Sequence, residues 1–483
     1  MNRLIKNEFK KLFSKKLMYI LLIITIGAVI LTKVLYSIDV VNMAEKQYLE
    51  SQLTYLEEEM KKSEYKLPEN KETLISLQVE YEKIKLELNY DMDSWQYDYI
   101  DREETVYDLI RNVKQSEAEN DKTALEKANK EYNEIKQKLE SGDWQSIAKE
   151  QLEELNTKIN DAEKLSKEVK DIISSQEINI ELENMKISKQ GLEWRLEKNI
   201  PFDNSFSSLK IIDYVNSSQY INGIKYKENK TKEEQLNYDE SLKNANIDKY
   251  YIENNIVIEK DNNAGDTLAN IMNEYGMFII IFSIIVAGTI VSNESQKGTI
   301  KLLLTRPYTR NKILLYKYIV SVLSIFMFIA VFMITEFIVG GIADGFNTFK
   351  IPMVDYNIKA NSIVVMSVFK YSIIKTLMIL PVVLLLSTLG FAFSTITSNS
   401  AVSVAMPILG YMGSNIIHYF IERVKILKYF VTANWDLSIY MFGGKGLADG
   451  LNFTSSVIIC IIYLLVMIIT TFIVFNKRDI KNV

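Results

Sequence analysis

The sequence predicts an all-α polytopic membrane protein with six transmembrane helices and a mainly helical, coiled-coil-like domain outside the bilayer. Three observations carry that expectation. Six apolar runs are each about long enough to cross a membrane. The charge is split: Asp39 to Asp266 holds 51 acidic and 32 basic residues (net −19), the rest 10 acidic and 24 basic (net +14), which together give the chain's −5. Within the acidic stretch, apolar residues recur at spacings of 3 and 4, the mark of helices that pack on helices. A mean hydropathy of +0.00 thus averages two unlike parts.

Residues 1–16 interleave Arg3, Lys6, Lys10, Lys11, Lys15 and Lys16 with Leu4, Ile5, Phe9, Leu12 and Phe13 at helical spacing. They read as a cytoplasmic amphipathic helix whose basic face meets lipid headgroups. The first span follows at 17–38. A secretory signal peptide is the competing reading, but the run is too long and no small-x-small cleavage site follows it. Lys33, toward its outer end, is expected to snorkel to the interface.

Residues 39–266 are expected to form an extracellular helical domain. Its seams are Leu74, Leu77, Tyr81, Ile84 and Leu88, then Leu125, Ala128, Tyr132, Ile135 and Leu139, then Leu152, Leu155, Ile159, Ala162, Val169 and Ile173. Pro68 and Ser141-Gly142-Asp143 mark corners, which favours antiparallel hairpins over one long coiled-coil dimer. The aromatics of Trp95-Gln96-Tyr97-Asp98-Tyr99 are expected to pack a hairpin tip rather than form a ligand surface. Beyond Pro201 the periodicity weakens, and a mixed return path is expected to 266.

The second span is expected at 271–291, a cytoplasmic coupling helix at 292–312 and the third span at 313–340, with Glu336 inside it as a candidate gating or substrate contact. An outer loop leads to the fourth span at 371–394, which carries Pro381. The fifth follows at 401–420. Residues 421–450 are expected to be an extracellular interfacial or re-entrant helix; Arg423, Lys425 and Lys428 there run against the positive-inside rule. The sixth span, 455–475, ends in a basic cytoplasmic tail, 476–483.

The stretch from 292 to 312 is mostly basic (Lys297, Lys301, Arg306, Arg310 and Lys312 against Glu294). That places it on the cytoplasmic side. Ile300, Leu303 and Leu304 can share one helix face, and Pro307 stops the helix. Glu294, Gly298, Thr299, Pro307, Arg310 and Lys317, spaced between two spans, resemble the permease subunits of ABC-2 type ABC transporters. So does the closing pattern of Phe475, Arg478 and Asp479. The resemblance covers the membrane frame, about half the chain. It implies that these six residues meet a separate ATP-binding subunit, Gly298 by close backbone approach and Arg310 by pairing with an acidic groove or lipid phosphate. It also implies two copies of that subunit, which hold ATP and Mg, and a second permease, identical or related. A generic positive-inside loop is the plainer reading.

Other chemistry is not encoded in recognisable form. No phosphate-binding Gly-x-x-x-x-Gly-Lys-Ser/Thr run occurs, and the lone histidine, His418, supports neither a metal set nor a triad, so the chain is expected to carry no cofactor and not to be an enzyme. The acidic domain would repel nucleic acid. Cys460 is the single cysteine, so the large domain has no disulfide. Expected cargo is a peptide, antimicrobial or cell-envelope substrate, in the plasma membrane of a low-GC bacterium. A membrane sensor or scaffold that transports nothing remains the alternative, with an integral-membrane enzyme behind it.

Overall fold

The computed structural model of the chain describes residues 2–37, 40–62, 65, 68–102, 104–168, 172–227, 229–258, 262–299, 308–421 and 424–477. It divides into two units, one of residues 1–37 with 260–483 and one of residues 38–259. The chain opens with α1 (Asn2–Phe13) and α2 (Lys16–Ser37). The second unit follows as α3 (Val40–Met60), α4 (Lys71–Glu87), α5 (Trp95–Arg102), α6 (Glu104–Glu119), α7 (Lys122–Ser141), α8 (Trp144–Glu168), α9 (Ile172–Lys198), α10 (Phe206–Lys225) and α11 (Lys232–Glu253). The first unit resumes with α12 (Ala264–Ala269), α13 (Ile271–Glu274), α14 (Gly276–Ile290), α15 (Ser292–Gln296), α16 (Arg310–Thr335) and α17 (Gly341–Asp344). It closes with a β-hairpin of β1 (Met353–Asn357) and β2 (Ser362–Met366), then α18 (Val368–Thr397), α19 (Ser400–Phe420) and α20 (Phe453–Lys477).

Among the described residues, five helices of the first unit are long and apolar enough to cross a membrane: Lys16–Leu35, Gly276–Gln296, Arg310–Asp344, Val368–Thr397 and Phe453–Lys477. They mark the chain as a membrane protein. The last leaves Ile458, Ile462, Leu465, Val466 and Ile469 exposed, apolar side chains that water would not favour. Between apolar helices in lipid the hydrophobic drive is weak, and small residues and hydrogen bonds set the packing. Accordingly α14, α18 and α19 meet at small residues: a Cβ on Gly288 would stand 3.0 Å from the Ser403 carbonyl oxygen. The Ser292 backbone N–H donates to Ser394 Oγ at 2.9 Å nearby.

Three expectations change here. The second span does not begin at residue 271, because the chain breaks at Tyr275 between α13 and α14. The outer loop before the fourth span contains the antiparallel hairpin β1–β2, pairing Asp355 with Val364. Residues 425–443 form three short 3-10 turns rather than one interfacial helix. Asn434 explains that irregularity: fully buried, it donates to the carbonyls of Lys428 and Phe430, and its own Oδ1 accepts from Ser456 of α20 at 2.7 Å. Arg423 lies outside the described residues, as does the His418 side chain.

The second unit is helical throughout its described elements. Helices α6 and α7, α8 and α9, and α10 and α11 pack as successive neighbours. Gly142, at φ +75°, ends α7 in the left-handed conformation glycine adopts freely. The seam of α7 buries Ala128, Ile135 and Leu139 as its spacing predicts. That of α4 does so at Ile84 alone, with Ile75, Val79 and Leu86 buried beside it, because α4 meets α3, α5 and α6 and so buries more than one stripe. Tyr99, on the short helix α5 that joins the packed pair α4 and α6, sits in the core, edge-on to Phe202 at 5.2 Å. The expected mixed return path is instead α10 and α11, the latter opened by a capping box of Thr231 and Glu234.

Candidate functional site

The apolar face of α1 is occupied by its own protein: Leu12 is buried, and Ile5, Phe9 and Phe13 pack on the first unit's core. That seating turns Glu8, the only acid among residues 1–16, toward α16. Lys317 of α16 lies 2.9 Å from Glu8 Oε2 and 2.8 Å from Glu294 Oε2 of α15. Lys11 closes the square, 3.0 Å from Glu8 Oε1 and 3.2 Å from Glu294 Oε1. Two cations and two carboxylates thus tie α1 to the facing ends of two candidate spans, Gly276–Gln296 and Arg310–Asp344. Burial pushes the Glu8 carboxyl up, but the ammonium groups of Lys317 and Lys11 outweigh it and hold it below the usual range. Lys11 answers in kind: burial lowers it, and Glu294 and Glu8 more than restore the charged form.

The six residues expected to meet a partner therefore differ in availability. Glu294 and Lys317 are engaged inside the chain, and Lys317 is buried. Thr299 is exposed, its hydroxyl donating to the Glu294 carbonyl at 3.3 Å. Arg310 is the first residue of α16 and donates to the Asn476 carbonyl at 3.3 Å. Gly298 has a φ of +68°, which glycine adopts freely, and within the chain a Cβ there would meet nothing within 4 Å. Pro307, Arg306 and Leu302 to Leu304 lie outside the described residues, as do Arg478 and Asp479.

A second charged group lies at the other end of the same helices. Lys33 does not snorkel; it is buried, 3.0 Å from Glu336 Oε1 and 2.8 Å from Asp344 Oδ2. Two carboxylates inside the bundle attract the ammonium more than an interface can. Tyr275, at the α13–α14 break, donates to Glu336 Oε2 at 3.1 Å, and Lys33 donates to Thr267 Oγ1 at 3.4 Å. Glu336 opens a wide π-helical turn, Glu336–Gly340, of a kind frequent at functional positions. Gly340 makes its room: a Cβ would stand 2.5 Å from Glu336 Oε1 and 2.8 Å from the Ala264 Cβ. Among the described residues no group of acids, histidines and cysteines could hold a metal ion.

Residues 240–481 match the family described as "Protein of unknown function (DUF2705)". The chain belongs to this family. It is also similar to the "Uncharacterized protein YhcI" of Bacillus subtilis (strain 168), 28% identical over 257 residues that cover 51% of this chain and 80% of that protein. No solved structure matches. The DUF2705 region supplies Glu294, Lys317, Glu336 and Asp344, whereas Glu8, Lys11 and Lys33 precede it. Both charged groups thus join the DUF2705 region to the N-terminal helices. Glu8, Lys33 and Asp344 were not legible as site residues from sequence; an isolated acid in a basic helix, and a lysine inside a span, were the available signals.

Proposed function

We propose that this DUF2705 protein is the membrane-spanning subunit of an ATP-driven transporter of the ABC-2 type, energised by a separate ATP-binding subunit. The supporting observation is the Glu8–Lys11–Glu294–Lys317 square. It fixes α15, the polar end of the candidate span Gly276–Gln296, to α1 and α16. A force applied to α15 or to the exposed turn at Gly298 and Thr299 is therefore passed to both helices. In this reading α19 is a sixth span, both termini are cytoplasmic and residues 39–266 are extracellular. Two ATP-binding subunits and a second permease complete the assembly, and the cargo is a peptide or cell-envelope molecule met by the outer domain. Exposed Thr299 and half-buried Arg310 make the contact, and Glu294 and Lys317 transmit it.

The test is capture of the tagged full chain from native membranes under gentle extraction, against a Thr299→Glu/Arg310→Glu variant; Glu294 stays native because it holds two lysines. Recovery of an ATP-binding protein with the wild type and its loss with the variant supports the reading. Equal recovery by both, or no ATP-binding protein at all, sinks it, and the latter favours a sensor or scaffold.

A further inference from the structure

The hairpin β1–β2 stands between two candidate spans, Arg310–Asp344 and Val368–Thr397, and β2 ends at Met366, just before the second begins. Its two strands are not equivalent. In β1, Val354, Asp355 and Tyr356 are buried, and the turn that follows is held by Ile358 N–H donating to the Phe442 carbonyl at 3.1 Å. In β2 no residue is buried, and Val365 is exposed. Every second residue of a strand turns its N–H and C=O away from its neighbour. On that side of β2 there is no further strand, and no backbone bond leaves it among the described residues.

Exposed strand edges are ordinarily blunted by a charge or a proline. This one has neither: from Ala360 to Phe369 there is no ionisable side chain and no proline. Ile363, Val364 and Val365 are all β-branched, a type that packs well across paired strands. The edge is also its own complement. Antiparallel pairing about a two-fold axis places one residue opposite its own copy. Centred on Val364, it sets Ile363 against Val365 and Ser362 against Met366, with no residue left over and no like charges opposed.

We infer that the free edge of β2 pairs with β2 of a second copy of this chain, closing a four-stranded antiparallel sheet. The membrane favours a copy over a free peptide. Two chains inserted the same way carry this strand on one side of the bilayer and at one depth, which raises the effective concentration of each edge for the other. Five residues bury far less than the roughly 1,200 Å² of a stable interface, so this confinement is needed and the pairing belongs to the bilayer. The inference gives the second permease of the proposed assembly a docking surface, but it rests on the strand edge and does not require transport.

The test is disulfide trapping of the full chain in native membranes, in a Cys460→Ala background so that each variant carries one cysteine. Val364→Cys should form a covalent dimer on mild oxidation, because the two copies of position 364 stand about 5 Å apart at Cβ. Ser362→Cys should give roughly tenfold less, since its own image lies four residues along, about 14 Å at the strand rise. Co-expressed with Met366→Cys, it should cross-link again. Equal yield from Val364→Cys and Ser362→Cys alone, or none from Val364→Cys, overturns the pairing. Adding Val365→Lys to Val364→Cys should abolish the dimer without lowering the melting temperature, and an undiminished dimer overturns it too. Benzophenone maleimide on Val364→Cys reports the other occupant: an adduct to a different chain and none to itself overturns the second copy in favour of an extended peptide. Recovery of an ATP-binding protein from the same membranes is scored separately, so loss of one reading is not mistaken for loss of the other.

Discussion

The two charged groups of the membrane unit use the same chemistry in different surroundings. They are linked along α16, on which Lys317 and Glu336 stand nineteen residues apart, about 28 Å at the α-helical rise. That distance is close to the thickness of a bilayer's hydrocarbon core. The square at Glu8 has ion contacts of 2.8 to 3.2 Å, and the group at Lys33 has 2.8 and 3.0 Å. Distance therefore does not distinguish them. Exposure does: the Lys11 side chain is 44% exposed and Glu294 17%, whereas Lys33, Glu336 and Asp344 are at 5%, 0% and 2%. Water can replace Lys11 in the first group, where Lys317 is itself buried, and cannot replace a lost partner in the second. One end of the bundle can exchange its Lys11 ion pairs with water, and the other is sealed from it.

The strongest way to break this contrast is to remove one cation at each end. Lys33→Met leaves Glu336 buried with only the Tyr275 hydroxyl as hydrogen-bond donor, at a cost of about 3–5 kcal/mol. The full chain in nanodiscs should then melt well below the wild type, and Lys33→Met/Glu336→Gln should recover part of the loss. A Lys33→Met melting temperature near wild type would mean that water reaches the group and that the contrast is wrong. Lys317→Met should cost less, about 1–2 kcal/mol, since Lys11 still serves both carboxylates. Lys11→Ala should cost less again, below about 1 kcal/mol, and the difference should vanish in high salt.

The same contrast governs what could be read from the sequence. The apolar runs mark the helices because a bilayer demands an uninterrupted stretch of satisfied backbone, and this constraint is local. The ends of the first, third, fourth and sixth expected spans fall within a few residues of α2, α16, α18 and α20. Pairing is not local: Lys11 and Glu294 are 283 positions apart, and Lys317 and Glu8 are 309. No periodicity encodes such a pair. Glu294 and Lys317 were visible as charges near a turn, but only tertiary packing decides that they face each other. The β-hairpin was more accessible, since Val354 and Tyr356 flank a polar Asp355 before a turn at Asn357 and Asn361, ahead of the β-branched run Ile363-Val364-Val365. The seam of α4 is fully buried only at Ile84 because spacing identifies a stripe, not how many neighbours a helix has.

The smallest effect to expect is also the one that separates the two units by sign. Glu8 is held below its ordinary value in the fold by Lys317 and Lys11 against the opposing effect of burial. Its contribution is therefore present above the unfolded carboxylate range, near 4.5, and is lost as pH falls through the lower folded value. Asp98 and Asp248 of the second unit behave oppositely. Burial pushes each up to about 6, despite Arg102 beside Asp98 and Lys210 at 2.8 Å from Asp248. Between about 4 and 6 the folded state then binds protons the unfolded state has released, so stability falls as pH rises across that window. Hydrogen exchange on the full chain, read at pH 4.5 and 6.5 after correction for intrinsic rates, resolves both regions in one sample. Protection of α1 should be greater at 6.5 than at 4.5, and that of α5 and α11 greater at 4.5. Asp248→Asn should remove most of the pH response in α11 and leave α1 unchanged. Parallel change in all three helices would point to global unfolding, and would show that the partially exposed square and the buried aspartates do not titrate as separate local groups.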